Sequence, residues 1–208
     1  MAKRTIKGPL PPDTRTFVQR VRDRVVEWRK GGKGEAPRPI HVRKADAKLN
    51  AAFDAMVAKA ATRGAFNAEL ESGIEGFSVY CRIQPRMHLY PNGKNALYYT
   101  FCLANIRMTE DVTGKGLFPA FLDHVEKVLL QPANPKTVLE REYQGQSGVV
   151  DHQRPILAIY VESITNPDLT HYLRERRSAK YIKPSDPFAH ADLVRFRADA
   201  DKHMQILD

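Results

Sequence analysis

Thr113-Gly114-Lys115-Gly116 is the stretch of this 208-residue chain whose residue types and spacing best suit chemistry. It lies between a long apolar run, residues 96–108 (ALYYTFCLANIRM), and an amphipathic segment, residues 117–130. A glycine-rich turn opening a helix leaves backbone N–H groups free and pointing one way. The helix dipole adds partial positive charge there, so the place suits a phosphate. Glycine matters because a Cβ would block close approach of a ligand to the backbone. Lys115 adds a point charge. The pattern is not a P-loop, which ends in Gly-Lys-Ser/Thr, nor a dinucleotide fingerprint, which needs a third glycine. The seven histidines are scattered without HxxxH or HExxH spacing, so no metal site is expected. Cys81 and Cys102 sit in apolar, strand-like runs and read as inert packing. No nucleophile elbow marks a serine.

The elements that must position this turn follow from hydrophobic periodicity. Residues 46–63 read as a helix with Leu49, Phe53, Met56, Val57 and Ala60 on its apolar face. From Gly76 the period falls from about 3.6 to about two, the change from helix to strand. Residues 77–83 alternate as a strand, residues 87–90 lead into the hairpin signal Pro91-Asn92-Gly93-Lys94, and residues 96–108 suit a central strand covered on both faces. Residues 117–130 form a helix whose wide apolar face holds Phe118, Phe121, Leu122, Val125, Val128 and Leu129, with Pro119 tolerated in its first turn. Residues 131–154, with Pro132, Pro135, Gly145 and Gly148, read as a long connection. A buried strand over 156–164 comes next, then a short helix capped by Asn166-Pro167-Asp168 and carrying Leu169, Tyr172 and Leu173. Residues 193–197 fit a late strand, and a helix through His203 fits almost as well.

At 42% hydrophobic and 27% charged, the chain has the material for a folded core. No stretch of about 18 residues is free of charge, so no transmembrane helix is expected. The start, Met1-Ala2-Lys3-Arg4, has no apolar run behind it, which argues against a secretory signal. With two cysteines only, a reducing cytoplasm is the expected location. The formal net charge of +9 is unevenly placed: residues 1–44 hold 13 Lys/Arg against four Asp/Glu, while the rest of the chain balances. Within that stretch Phe17, Val21, Val25 and Trp28 mark an amphipathic helix whose other surfaces carry Arg20, Arg22, Arg24, Arg29 and Lys30. Gly31-Gly32-Lys33-Gly34 ends the helix, Pro37-Arg38-Pro39 stiffens the chain after it, and residues 40–42 fit a short strand. The chain thus reads as a basic arm, residues 1–39, before a body, residues 40–208. Such an arm suits a polyanion such as nucleic acid.

The order of elements, with the loop Asp111-Val112-Thr113-Gly114-Lys115-Gly116, resembles the GNAT superfamily of acetyl-CoA-dependent N-acyltransferases over about residues 40–197. It does so most closely at 96–130 and 156–177. The family loop reads Gln/Arg-x-x-Gly-x-Gly/Ala; both glycines agree, and Asp111 stands at the first position. The resemblance implies an α/β fold with a mixed central sheet flanked by helices, and acetyl-CoA as cosubstrate. It implies that backbone N–H groups of Val112, Thr113, Gly114, Lys115, Gly116 and Leu117 hold the pyrophosphate. The strand edge at Ile106 and Met108 would pair with the pantetheine arm. The strands over 104–108 and 159–163 would splay around the thioester, where a backbone N–H polarises its carbonyl. Asn166 matches the family asparagine after the second of these strands. The family tyrosine that protonates the departing thiolate falls seven residues on, at Leu173; Tyr172 stands one position earlier, about 100° around a helix. Glu162 is the first choice for the base that takes the amine proton, ahead of Glu110, Asp111 and His171, and Ser163 offers a relay through water. The implied activity is acetyl transfer to an amine, on nucleic acid or on protein. The alternative is a binding module for nucleic acid or protein that keeps the fold without catalysis.

Overall fold

The structure, a computed structural model, describes residues 46–89, 95–182 and 191–207. The chain divides into two units, Met1–Ile40 and His41–Asp208, and every described residue belongs to the second. The basic helix with Phe17, Val21, Val25 and Trp28, the strand expected at 40–42 and the turn at 91–94 lie outside the described residues.

Helix α1, Ala47–Arg63, begins where Asp46 accepts hydrogen bonds from the N–H groups of Lys48 (3.0 Å) and Leu49 (3.2 Å). The five apolar residues expected on its inner face are all buried. The second oxygen of Asp46 accepts from the Ser72 hydroxyl and from Gly73 N–H (2.9 Å), which ties the helix start to the loop after the first strand. Desolvation pushes this carboxyl upward, but the bonds from Ser72 and the backbone outweigh it and hold it below its ordinary value of 3.8. Asp46→Ala is therefore expected to cost about 0.5–2 kcal/mol of stability, measured by urea unfolding. That difference should be full above about pH 4 and shrink as acid protonates the carboxyl.

Strands β1 (Phe66–Glu71), β2 (Phe77–Leu89) and β3 (Asn95–Met108) form an antiparallel set, and helix α2 (Leu117–Leu129) comes after them. Then come β4 (Thr137–Tyr143), β5 (Val149–Ile164), helix α3 (Pro167–Arg177), β6 (Lys180–Ile182), β7 (Ala191–Phe196) and β8 (Gln205–Leu207). The main sheet order is β1-β2-β3-β5-β7-β6, with β4 on β5 and β8 on β3. Only β3 and β5 run parallel among the described pairs, as a crossover through α2 requires. The fold is therefore a mixed α/β sheet with helices.

One expectation needs correction, and one alternative is settled. Residues 131–154 are not a connection: β4 pairs antiparallel with the first half of β5, from Thr137↔Pro155 to Tyr143↔Val149. This ribbon is mostly exposed, so its polar sequence lacks the apolar alternation that marks a half-buried strand. The late strand expected at 193–197 is present as β7, and the alternative of a helix through His203 is not: a 3₁₀ turn covers Ala200–Lys202.

Side chains from α1, α2 and α3 all pack into one core with Val79, Cys81, Phe101, Leu103, Ile159 and Val161. Phe53 sits edge-on to Phe101 and Phe121, with ring centroids 5.0 and 6.0 Å away. The opposite face carries a smaller cluster, including Tyr98, Cys102, Tyr160 and Val194, to which none of these three helices contributes. No described helix is long and apolar enough to cross a membrane.

Candidate functional site

The parallel pairing of β3 with β5 runs from Tyr99↔Ile156 to Leu103↔Val161 and stops. Beyond it, β3 stays on β2 and the end of β5 stays on β7, so the facing edges at residues 104–108 and 162–164 have no strand between them. Both strands are irregular where they part. Ala104 is an extra residue in β3, because Tyr80 pairs with Asn105 and Cys81 with Leu103. In β5 the register shifts between Val161 and Ile164, and Ser163 takes φ +55°, a left-handed conformation unusual for a side-chain-bearing residue. Bulges bend a strand and terminate pairing, which is the local cause of the divergence. The result is a cleft of about 360 Å³ that Ala104, Ile106, Met108, Thr113, Phe118, Glu162, Ser163 and Asn166 help to line.

One end of the cleft meets the glycine turn. Gly114 and Gly116 have φ +74° and +76°, so both need the freedom of glycine. A Cβ built on Gly114 would meet nothing within 4 Å, leaving its backbone open to a ligand. The turn closes partly on itself: Val112 and Thr113 donate to the Thr109 carbonyl, and Lys115 donates to Val112. These three N–H groups are thus engaged, which corrects the expectation that the whole run from Val112 is free. Among the described residues, the N–H groups of Gly114, Gly116, Leu117 and Phe118 have no acceptor. Helix α2 has no capping side chain and no acid in its first turn. A helix start left with bare donors and no negative charge fits a diphosphate. The side chains of Val112 and Leu117 are buried in the core, so they anchor the turn rather than line the cleft.

Glu162 stands where the strands part, on the face without helices. Its side chain is 9% exposed and lies between two guanidiniums: Arg82 on one oxygen, Arg86 on the other at 2.6 Å. The Cys102 thiol is 3.3 Å from that second oxygen, so Cys102 belongs to this polar cluster and is more than apolar packing. Burial pushes its thiol pKa up, against the nearby arginines. Arg86 also stacks on the Tyr160 ring, 3.6 Å from its centroid. The Tyr160 hydroxyl donates to Asp192 at 2.7 Å, and the other Asp192 oxygen accepts from Ser163 N–H at 2.7 Å. Buried Asp192 therefore fixes both the strained Ser163 backbone and the ring beneath Arg86.

Tyr172 is not brought to the cleft. Its hydroxyl accepts from Arg177 Nε at 2.7 Å, and Arg177 also reaches Asp123, Glu126 and the Pro119 carbonyl. The ring packs against the core between helices, which is where one position of helical rotation carries it. Tyr172→Phe is expected to leave any acetyl-transfer rate within about twofold and to lower stability by about 0.5–1.5 kcal/mol, read from turnover and thermal melting. Asn166 caps α3 through bonds to the N–H groups of Asp168 (2.9 Å) and Leu169 (3.3 Å), and it lines the cleft as well. Glu110, Asp111, Lys115 and His171 are exposed and do not line the cleft. Thr109 and then Lys115 help hold the Asp111 carboxyl low.

Arg82, Arg86, Phe118 and Asp192 were not legible as site residues. For the two arginines a signal exists: four residues apart on an alternating strand, they project from one face. Among the described residues, no group of three or more His, Cys, Asp or Glu gathers as metal ligands would. No protein-family model, curated protein or solved structure matches this chain.

Proposed function

We propose that this chain is an acetyl-CoA-dependent N-acyltransferase of the GNAT type. The observation that carries the reading is the divergence of the parallel strands β3 and β5 beside a glycine turn with unpaired N–H groups. Gly114, Gly116, Leu117 and Phe118 N–H hold the pyrophosphate, with Lys115 at its rim. The free edge of β3 at Ile106 and Met108 takes the pantetheine arm, while Thr113 and Asn166 flank it. The acetyl thioester lies between the bulges at Ala104 and Ser163. There the amine lone pair forms the C–N bond, the C–S bond breaks, and its electron pair leaves on the coenzyme sulfur. Glu162 takes the proton from the amine nitrogen, directly or through a water at Ser163. Calorimetry should find saturable acetyl-CoA binding, and thiol release should depend on added amine. Absence of binding by the folded full chain would contradict the reading.

A second reading keeps the fold as a nucleic-acid or protein-binding module without catalysis. The engagement of Tyr172 by Arg177 and of Glu162 by two arginines favours it, as does the charge of residues 1–44. Removing residues 1–44 is expected to abolish salt-sensitive binding to a generic DNA duplex, because the rest of the chain is formally neutral. Fluorescence anisotropy at rising salt tests this, with melting to check the body. Retained affinity after truncation would assign polyanion binding elsewhere.

A further inference from the structure

The two guanidiniums that hold Glu162 carry N–H donors that its carboxylate does not reach. Arg82 and Arg86 occupy one face of β2, and both reach across β3 to the same side chain on β5. Their Nε–H groups are buried and donate to nothing. Buried donors are ordinarily satisfied, so two of them on neighbouring guanidiniums show that Glu162 is an incomplete partner for this pair. The arginines are also built in. Arg86 is stacked on Tyr160, which Asp192 anchors, so its guanidinium plane is fixed before any ligand arrives. Access exists too, since the side chains of Arg82 and Arg86 are 33% and 20% exposed. Glu162 is less exposed than either and lies on the cleft side.

We propose that Arg82 and Arg86 form the acceptor-carboxylate site of this enzyme: the amine carries a carboxylate that takes the place of Glu162 between the two guanidiniums. The inference rests on the acyltransferase reading and names the class of its acceptor, a small amino-carboxylate. The exchange is chemically even, one carboxylate for another on the same planar donors, a geometry that arginine pairs match well. It also answers why the candidate base is clamped. With both oxygens engaged, Glu162 is a poor proton acceptor. Once the acceptor's carboxylate takes over the two fixed guanidiniums, Glu162 is released beside the amine that the same molecule delivers. The amine nitrogen then attacks the acetyl carbon, the coenzyme leaves as thiolate, and the proton lost by nitrogen passes to Glu162. An amine without a carboxylate leaves the clamp closed.

The test compares acetyl acceptance by glycine, β-alanine and 4-aminobutyrate with that by methylamine, ethylamine and propylamine. The full chain is used, with saturating acetyl-CoA and thiol release as readout. The expected result is at least about tenfold higher kcat/KM for one carboxylate-bearing amine than for its partner, a hydrogen bond to a charged group being worth about that much. In Arg82→Gln and in Arg86→Gln that ratio should fall toward one while calorimetric acetyl-CoA affinity is kept. Arg86→Lys, which retains the charge, should recover only part of it and serves if either glutamine variant fails to fold. Equal rates within every matched pair, or a ratio that survives the substitutions, would overturn the carboxylate site while leaving acyl transfer standing. Failure to bind acetyl-CoA at all would overturn both.

Discussion

Gly116→Glu should weaken acetyl-CoA binding by at least about 100-fold, or roughly 2.7 kcal/mol. Two effects add. Gly116 has φ +76° at the first position before α2, and a side chain there costs about 1–2 kcal/mol of backbone strain. The added carboxylate also stands among N–H groups whose only evident ligand is an anion, so it repels the pyrophosphate or fills its place. Gly116→Ala separates the two contributions, since it brings the strain without the charge. The alanine variant is expected to retain most affinity after correction for any loss of stability, and calorimetry on both variants checks this. Undiminished affinity in a folded Gly116→Glu protein would remove the turn from the coenzyme site.

Glu162→Gln is expected to have the largest effect on turnover, a loss of about 10²–10⁴, the usual worth of a positioned proton acceptor. It should also lower stability, because it leaves Arg82 and Arg86 facing each other without a carboxylate. Breaking a buried pair costs about 3–5 kcal/mol, and the partial exposure of Arg82 places this one toward the lower figure. The two effects are separable. The stability loss appears in melting without any substrate, whereas the catalytic loss persists at temperatures where the variant is fully folded. Acetyl-CoA affinity should be unchanged, since the glycine turn is a different part of the cleft. A folded variant with normal kcat would show that Glu162 is a structural counter-ion only.

What the sequence shows of this fold depends on how much each element is buried. Helix α1 and strand β3 are legible almost to the residue, because the large apolar residues of α1 recur at helical spacing on one buried face and the middle of β3 is a continuous apolar run buried on both faces. Strand β1 alternates strictly over Phe66–Glu71 and is open to the same reading, whereas β6 and β8 escape notice because each is three residues long and β8 is exposed throughout. The β4–β5 ribbon is hidden because it too is mostly exposed. At the site, the glycine turn is visible because glycine spacing is a local signal. The Arg82–Glu162–Arg86 cluster is not, because it joins residues far apart in the chain through the register of three strands. Which N–H groups of the turn are free is likewise a matter of φ and ψ, and Thr109, the residue that captures two of them, lies before the glycine motif.

The central claim is that the divergence of β3 from β5, with the turn before α2, is a coenzyme A cleft. Titration of ¹⁵N-labelled protein with acetyl-CoA, monitored by amide chemical shifts, tests it most directly. The account predicts saturable shifts at Gly114, Gly116, Leu117 and Phe118, with changes along residues 104–108 and at Ser163. The far β4–β5 ribbon should stay unmoved. Saturable shifts confined to other surfaces, or none at all, would contradict it.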